Sequence, residues 1–124
     1  MMTEKIGEFS PEIVKLLNLD ISAGTDIYIG VTNIAHIANE HKYEFDRYFD
    51  KIHLILSAPD YVRLKTDDGS IEYIKHLSKY IKVAVRVSGD GKYYVRSLYT
   101  VRDRIVKNLL KSDILKRVDK KINL

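Results

Sequence analysis

The stretch Lys82-Val83-Ala84-Val85-Arg86-Val87-Ser88-Gly89-Asp90-Gly91-Lys92-Tyr93-Tyr94-Val95-Arg96-Ser97-Leu98-Tyr99 decides the fold. Val83, Val85 and Val87 alternate with Lys82, Ala84 and Arg86, the period-two pattern of a strand with one buried face. Ser88 to Lys92 has turn composition, and Tyr93 to Tyr99 reads as the strand that returns. Upstream, Ile71 to Leu77 reads as another strand. Before it, Val62 and Leu64 alternate with Tyr61, Arg63 and Lys65, and Asp67-Asp68-Gly69-Ser70 supplies the hairpin turn between the two. Four strands joined by short turns make an antiparallel meander.

Helical spacing dominates on either side of this block. Ser10-Pro11-Glu12 opens a helix, with a cap, a proline suited to the first position and a carboxylate at the positive helix end. Ile27 to Gly30 is a brief extended segment or turn. Thr32 is placed to cap a helix over 33–41, with Ile34, Ile37 and Ala38 inward. Phe45, Tyr48, Phe49, Ile52, Ile55 and Leu56 recur at three- and four-residue spacing, which predicts a helix over 44–57 that Pro59 closes. Val101, Ile105, Val106, Leu109 and Leu110 mark a final amphipathic helix whose continuation is basic. The expected fold is α+β: N-terminal helices followed by a four-stranded antiparallel meander sheet and a C-terminal amphipathic helix. The 124 residues suit a single domain, 1–124, with 102–124 a basic helical extension.

The absence of cysteine excludes disulfide scaffolds, thiolate zinc sites, iron–sulfur clusters and cysteine nucleophiles. No apolar run is long enough to span a bilayer, and the first residues lack the pattern of a secretory signal, so a cytoplasmic location is expected. Glycines lack the spacing of dinucleotide or Walker loops, so no cofactor is expected. Charge is uneven. Residues 1–59 carry five Lys/Arg against nine Asp/Glu, 60–96 eight against five, and 97–124 eight against three. This asymmetry points to a polyanionic partner, nucleic acid before membrane, against the competing reading of a merely solvated basic surface.

One face of the meander buries valines, and the other carries Arg63, Lys65, Lys82 and Arg86, a candidate cradle for a phosphate backbone. Arg96 and Tyr99 on the fourth strand complete the candidate nucleic-acid contacts. His36 and His41, five residues apart, lie about 140° apart around a helix and would not clasp one metal; no metal site is expected. Either suits acid–base work near neutral pH. The competing reading, which spacing alone favours, is one histidine hydrogen-bonded at the core edge and the other merely exposed. His53 sits beside core positions in its helix, and His76 neighbours Lys75 in a strand. Lys75 shares a side with Ile71 and Tyr73, and Ser97 shares one with Val95, so both polar groups fall on the nominally covered face. In a flat regular sheet that is opposite Arg86, and a common site would need a bulge, a strong twist or another register.

The ordered set His36-Ile37-Ala38-Asn39-Glu40-His41, Ile55-Leu56-Ser57-Ala58-Pro59-Asp60-Tyr61-Val62, Tyr73-Ile74-Lys75, Val83-Ala84-Val85-Arg86 and Val95-Arg96-Ser97-Leu98-Tyr99 resembles the phage-type branch of the barnase–EndoU–colicin–RelE-like nucleases over about residues 20–101. The resemblance implies a metal-independent endoribonuclease that directs a ribose 2′-OH onto the adjacent phosphate, leaving a 2′,3′-cyclic phosphate and a 5′-OH. Carried over by position, it makes His41 the general acid or base and His36 a secondary candidate. Lys75 and Arg86 become the cations on the phosphoryl oxygens, and Ser97 a hydrogen-bond donor to phosphate. RNA is the partner it implies, and an inhibitor or immunity protein is a further one to look for. Two readings from other classes stand beside it. One is a non-catalytic nucleic-acid-binding or phage-associated structural module. The other is a homo-oligomer formed through the helix at 101–122.

Overall fold

A seven-stranded mixed sheet organises residues 3–119, the part of the chain that the computed structural model describes. In chain order the elements are β1 (Thr3–Glu8), α1 (Pro11–Leu16), β2 (Asp26–Gly30), α2 (Val31–Glu40), α3 (Lys42–Tyr48) and α4 (Ile52–Ser57). Then come β3 (Tyr61–Lys65), β4 (Ser70–His76), β5 (Tyr80–Val87), β6 (Tyr93–Val101), α5 (Asp103–Lys111) and β7 (Lys116–Arg117). The strand order is β1-β2-β6-β5-β4-β3-β7, antiparallel throughout except for β2 against β6.

This corrects the expected fold class. The fold is α+β, but a strand rather than a helix opens it, and the hairpin-connected strands 61–101 are only the middle of a larger mixed sheet. Of the three additional strands, β2 falls on the segment read as extended or turn, while β1 and β7 have no sequence pattern of their own. β1 is Thr-Glu-Lys-Ile-Gly-Glu, with little apolar content to bury, and β7 is two residues long. They are strands because β2 and β3 present unpaired edges to them.

The helices also differ from their expected bounds. In α1, Ser10 caps as its type predicts, accepting the Ile13 N–H at 3.2 Å. α2 starts earlier than Thr32, where Asn33 Oδ1 accepts the Gly30 N–H at 2.8 Å. The helix expected over 44–57 is split by a 3₁₀ turn, Phe49–Lys51, so that α4 can follow the sheet. The expected helical extension ends at Lys111. Asp113 takes a left-handed φ of 58°, and the chain doubles back so that Leu115 is buried beside Ile74, Val101 and Val106. The last part of that extension, residues 120–124, lies outside the described residues.

The sheet therefore has two cores. On one face Val62, Ile71, Tyr73, Ile81, Val83, Val85, Val95 and Leu98 meet Ile13 of α1, Ile37 of α2 and Ile52, Ile55 and Leu56 of α4. Leu64 and Val87, expected in this layer, lie at strand ends and are 38% and 47% exposed. On the opposite face α5 covers one end, where Val106, Leu109 and Leu110 pack on Ile74 and Val101. Three residues of its apolar stripe thus pack on its own sheet, while the fourth, Ile105, is 45% exposed.

A bulge interrupts β6. Ala84 faces Ser97 and Val85 faces Val95, leaving Arg96 as the extra residue. The shift lets Leu98 rather than Ser97 bury opposite Val83, and it turns Ser97 and Tyr99 onto the face that carries Arg86. Beyond Tyr94, β6 has no strand on its outer side. There Glu44 of α3 accepts the Thr100 N–H at 3.1 Å and the Thr100 hydroxyl at 2.9 Å.

Two predictions follow from these contacts. Burial alone would raise the Glu44 carboxyl, but the Thr100 hydroxyl and backbone bonds and the nearby His41 together hold it below the ordinary value of 4.5. A carboxyl depressed on folding contributes stability that is present above its unfolded pKa and lost as pH falls through the folded one. The stability difference between wild type and Glu44→Gln, measured by urea unfolding, will therefore shrink as pH drops below about 4.5; a constant difference would refute the assignment. Tyr73 is 1% exposed and its hydroxyl has no hydrogen-bond partner among the described residues, while burial pushes its pKa up. Tyr73→Phe will raise stability by about 1 kcal/mol, because it removes an unsatisfied buried polar atom without leaving a cavity. A comparable loss in the unfolding midpoint would show that the hydroxyl is bonded.

Candidate functional site

The face not covered by α1, α2 and α4 is built around a carboxylate. Glu72, in the middle of β4, is 3% exposed and receives cations from both neighbouring strands. Arg63 Nε of β3 donates to its Oε1, and Lys82 Nζ of β5 lies 3.0 Å from Oε2. Strand register creates this arrangement: Arg63 is directly opposite Glu72, and Lys82 is two residues along β5 from Ala84, the direct partner of Glu72 on the other side. Lys82 Nζ also lies 4.5 Å from the centre of the Tyr99 ring.

Beside this ion cluster lies a polar cleft of about 280 Å³. It is lined by Ser70, Glu72, Ala84, Arg86, Ser97 and Tyr99 of the sheet, by Lys65 and Asp68 at the β3–β4 turn, and by Arg96 of β6 with Asn33 and His36 of α2. A second cleft of about 330 Å³ continues from it past Thr32, Ser88, Asp90 and Tyr94. Asn33, His36 and Arg96 line both, so they stand where the two meet. The bulge is what turns Ser97 and Tyr99 toward this cleft.

Most of the positive charge here is matched. Arg63 and Lys82 share Glu72, Arg86 lies 3.9 Å from Asp68, and Lys65 3.8 Å from Asp67. The Ser70 backbone and hydroxyl, helped by Lys65 and Arg86, hold the Asp68 carboxyl below its usual value, so it stays charged at neutral pH. Arg96 has no ion pair among the described residues. The arrangement can hold an anion between Arg86, Arg96 and Ser97 and place an imidazole beside it. Among the described residues no group of three or more His, Asp or Glu is arranged to hold a metal ion.

The structure thus brings together His36, Arg86, Arg96, Ser97, Tyr99 and Lys65. Arg63 and Lys82 lie on the same face, committed to Glu72. His41 ends α2 and stacks on Tyr99 with ring centres 5.4 Å apart, behind the cleft wall, and its ring centre is 6.4 Å from that of His36. The helical angle between the two histidines does not apply, because His41 has left helical geometry at φ −135°. Lys75 is not brought to this cleft: it pairs with Ile81 on the other face and donates to the Ala58 carbonyl at 2.7 Å. His53 bonds the Ile6 carbonyl and His76 packs on Tyr80, both away from the cleft.

Sequence reasoning missed Glu72, Asn33, Asp68 and Ser70. The signal for Glu72 was its alternation with Ile71 and Tyr73, which puts a carboxylate among the cations of the neighbouring strands. Removing it leaves two adjacent, largely buried cations without a counter-charge. Glu72→Gln is expected to cost about 3–5 kcal/mol in unfolding free energy. A loss below about 1 kcal/mol would mean that water already screens the cluster.

A family model described as phage-Barnase-EndoU-ColicinE5/D-RelE like nuclease3 matches residues 4–108. No curated protein and no solved structure matches the chain. The matched span reaches from β1 into α5 and includes every residue of the cleft, which accords with a nucleic-acid substrate for a face of arginine, histidine and hydroxyl groups. This chain belongs to the phage-Barnase-EndoU-ColicinE5/D-RelE like nuclease3 family.

Proposed function

We propose that the protein is an endoribonuclease that needs no metal ion and cleaves RNA by attack of a ribose 2′-OH on the neighbouring phosphate, leaving a 2′,3′-cyclic phosphate and a 5′-OH. The observation that carries this reading is the convergence of His36, Arg86, Arg96 and Ser97 on one cleft of the sheet. The reaction needs a base for the 2′-OH proton, an acid for the departing 5′-oxygen and positive charge around the phosphoryl oxygens.

In this proposal Arg86 and Arg96 hold the phosphoryl oxygens, and Ser97 donates a hydrogen bond to one of them. Negative charge that grows on those oxygens as the 2′-oxygen bonds to phosphorus is then met by donors already in place, so little reorganisation is required. His36 exchanges a proton with the reacting oxygens. His41, whose ring centre lies 6.4 Å from that of His36, is the nearest second imidazole and serves the second proton transfer on turning from Tyr99 into the cleft, so that one imidazole accepts while the other donates. Tyr99 offers a ring on which a base can stack, and Lys65 a contact for a flanking phosphate. The order of importance differs from the one expected by position along the chain, since His36 lines the cleft and His41 stands behind Tyr99. Lys75, on the far side of the sheet, has no part.

Single-stranded RNA of mixed sequence, incubated in EDTA and read by mass spectrometry, tests this. Wild type is expected to release cyclic-phosphate fragments from RNA and none from a 2′-deoxy copy. His36→Ala should lower the rate by about 10² to 10⁴, and Lys75→Ala should leave it unchanged. Cleavage of the deoxy strand, or full activity in His36→Ala, would overturn the mechanism. Salt-dependent RNA binding without any cleavage would favour the binding-module reading instead.

A further inference from the structure

The cations nearest the cleft are largely spoken for, whereas those of the helix beside it are not. α5 covers Ile74 and Val101, which lie on the same face of the sheet as Glu72 and Ser97. Tyr99 joins the two regions, since it lines the cleft and also packs against the cluster beneath α5. On α5, Arg104, Lys107 and Lys111 fall within about 60° of arc, centred about 130° around the helix from the buried Val106. All three are exposed, and none has an ion pair among the described residues. Asp103, in the first turn, is the one carboxylate of this helix. From Arg104 to Lys111 the helix rises about 10 Å, about the rise of three stacked nucleotides.

We infer that Arg104, Lys107 and Lys111 of α5 form a track for the phosphate backbone of an RNA strand that extends beyond the cleft. This rests on the nuclease reading for its substrate, but the track itself is an affinity surface and takes no part in the chemistry. Two physical points favour it. A cation without a carboxylate partner is free to displace the counterions condensed on a polyanion, whereas Arg63 and Lys82 must first lose Glu72. The stripe is also fixed in direction, because Val106, Leu109 and Leu110 on the other side of the helix are anchored to the sheet. The site then has two parts, a cleft that reads and cuts at one phosphate and a helix that holds the flanking strand.

Binding and cleavage are measured separately so that the two readings can fail independently. The binding probe is a 2′-deoxy 20-mer, which cannot undergo the 2′-OH reaction. For wild type, the logarithm of affinity falls linearly with the logarithm of salt concentration. In Arg104→Gln/Lys107→Gln/Lys111→Gln the slope is expected to become shallower by about 2, at about 0.7 per lost phosphate contact on a single strand. A charge-matched control, Lys15→Gln/Lys42→Gln/Lys51→Gln, should keep the wild-type slope. At low salt the α5 variant should cut a 20-nucleotide RNA at least tenfold less efficiently while cutting a dinucleotide at the wild-type rate, since a dinucleotide cannot reach the helix. Equal slopes in the two triple variants, or equal loss on both substrates, would overturn the track. Wild type that cuts neither RNA would instead overturn the nuclease reading, with the salt slopes still deciding the track.

Discussion

Glu72 constrains everything on the working face of this sheet. A carboxylate taken almost fully out of water is tolerable only when its charge is met at close range, and Arg63 and Lys82 meet it from the two adjacent strands. The cost of separating these groups from water is several kcal/mol per ion, so the cluster is weak evidence for high stability. Its consequence is geometric. Three strands must keep the register that sets Arg63 directly opposite Glu72 and Lys82 on the diagonal from it, since a slip of one residue would send each to the face occupied by Ile71, Tyr73 and Val83. Lys82, fixed in this way, lies against the ring of Tyr99, which in turn carries His41 and forms part of the cleft.

The bulge at Arg96 is the second constraint. A regular β6 would place Ser97 beside Val95 in the apolar layer, and the strand escapes that outcome by inserting one residue. Leu98 gains the buried position opposite Val83, while Ser97 and Tyr99 join Arg86. The inserted residue is itself an arginine without an ion pair among the described residues, standing where two clefts meet. One local irregularity therefore settles a packing conflict and gathers the polar groups, which is a common use of bulges near functional sites.

The partition of charge gives the two cores different roles. The helix-covered face is a conventional apolar layer, whereas the opposite face is shared between α5 at one end and a polar cleft at the other. Because α5 is amphipathic and its apolar side is occupied by Ile74 and Val101, its basic side is held outward next to the cleft. Among the described residues the positive charge of the C-terminal part of the chain thus divides: Arg63, Lys65, Lys82 and Arg86 of the strands are met by carboxylates, whereas Arg96 of β6 and the cations of α5 have no ion pair.

Several of these features were legible in the residues. The alternation in 82–87, the turns at 67–70 and 88–92 and the spacing of 103–111 state their conformations locally, because period and turn chemistry are properties of short segments. The ordered motifs from His36 to Tyr99 likewise pointed to the nuclease family without any coordinates. Other features were not local. Thr3–Glu8 and Lys116–Arg117 are strands only because a neighbouring edge pairs with them, and the helix from Asp103 stops where Leu115 can turn back into a pocket. Lys75 keeps the side that its alternation with Ile74 and His76 predicts, but whether Ser97 joins Arg86 depends on where the inserted residue sits in β6, since a shift of one reverses every side chain of that strand beyond it. That choice was made by the competition of Ser97 and Leu98 for one buried position opposite Val83, a contact between strands that the linear order of residues does not contain.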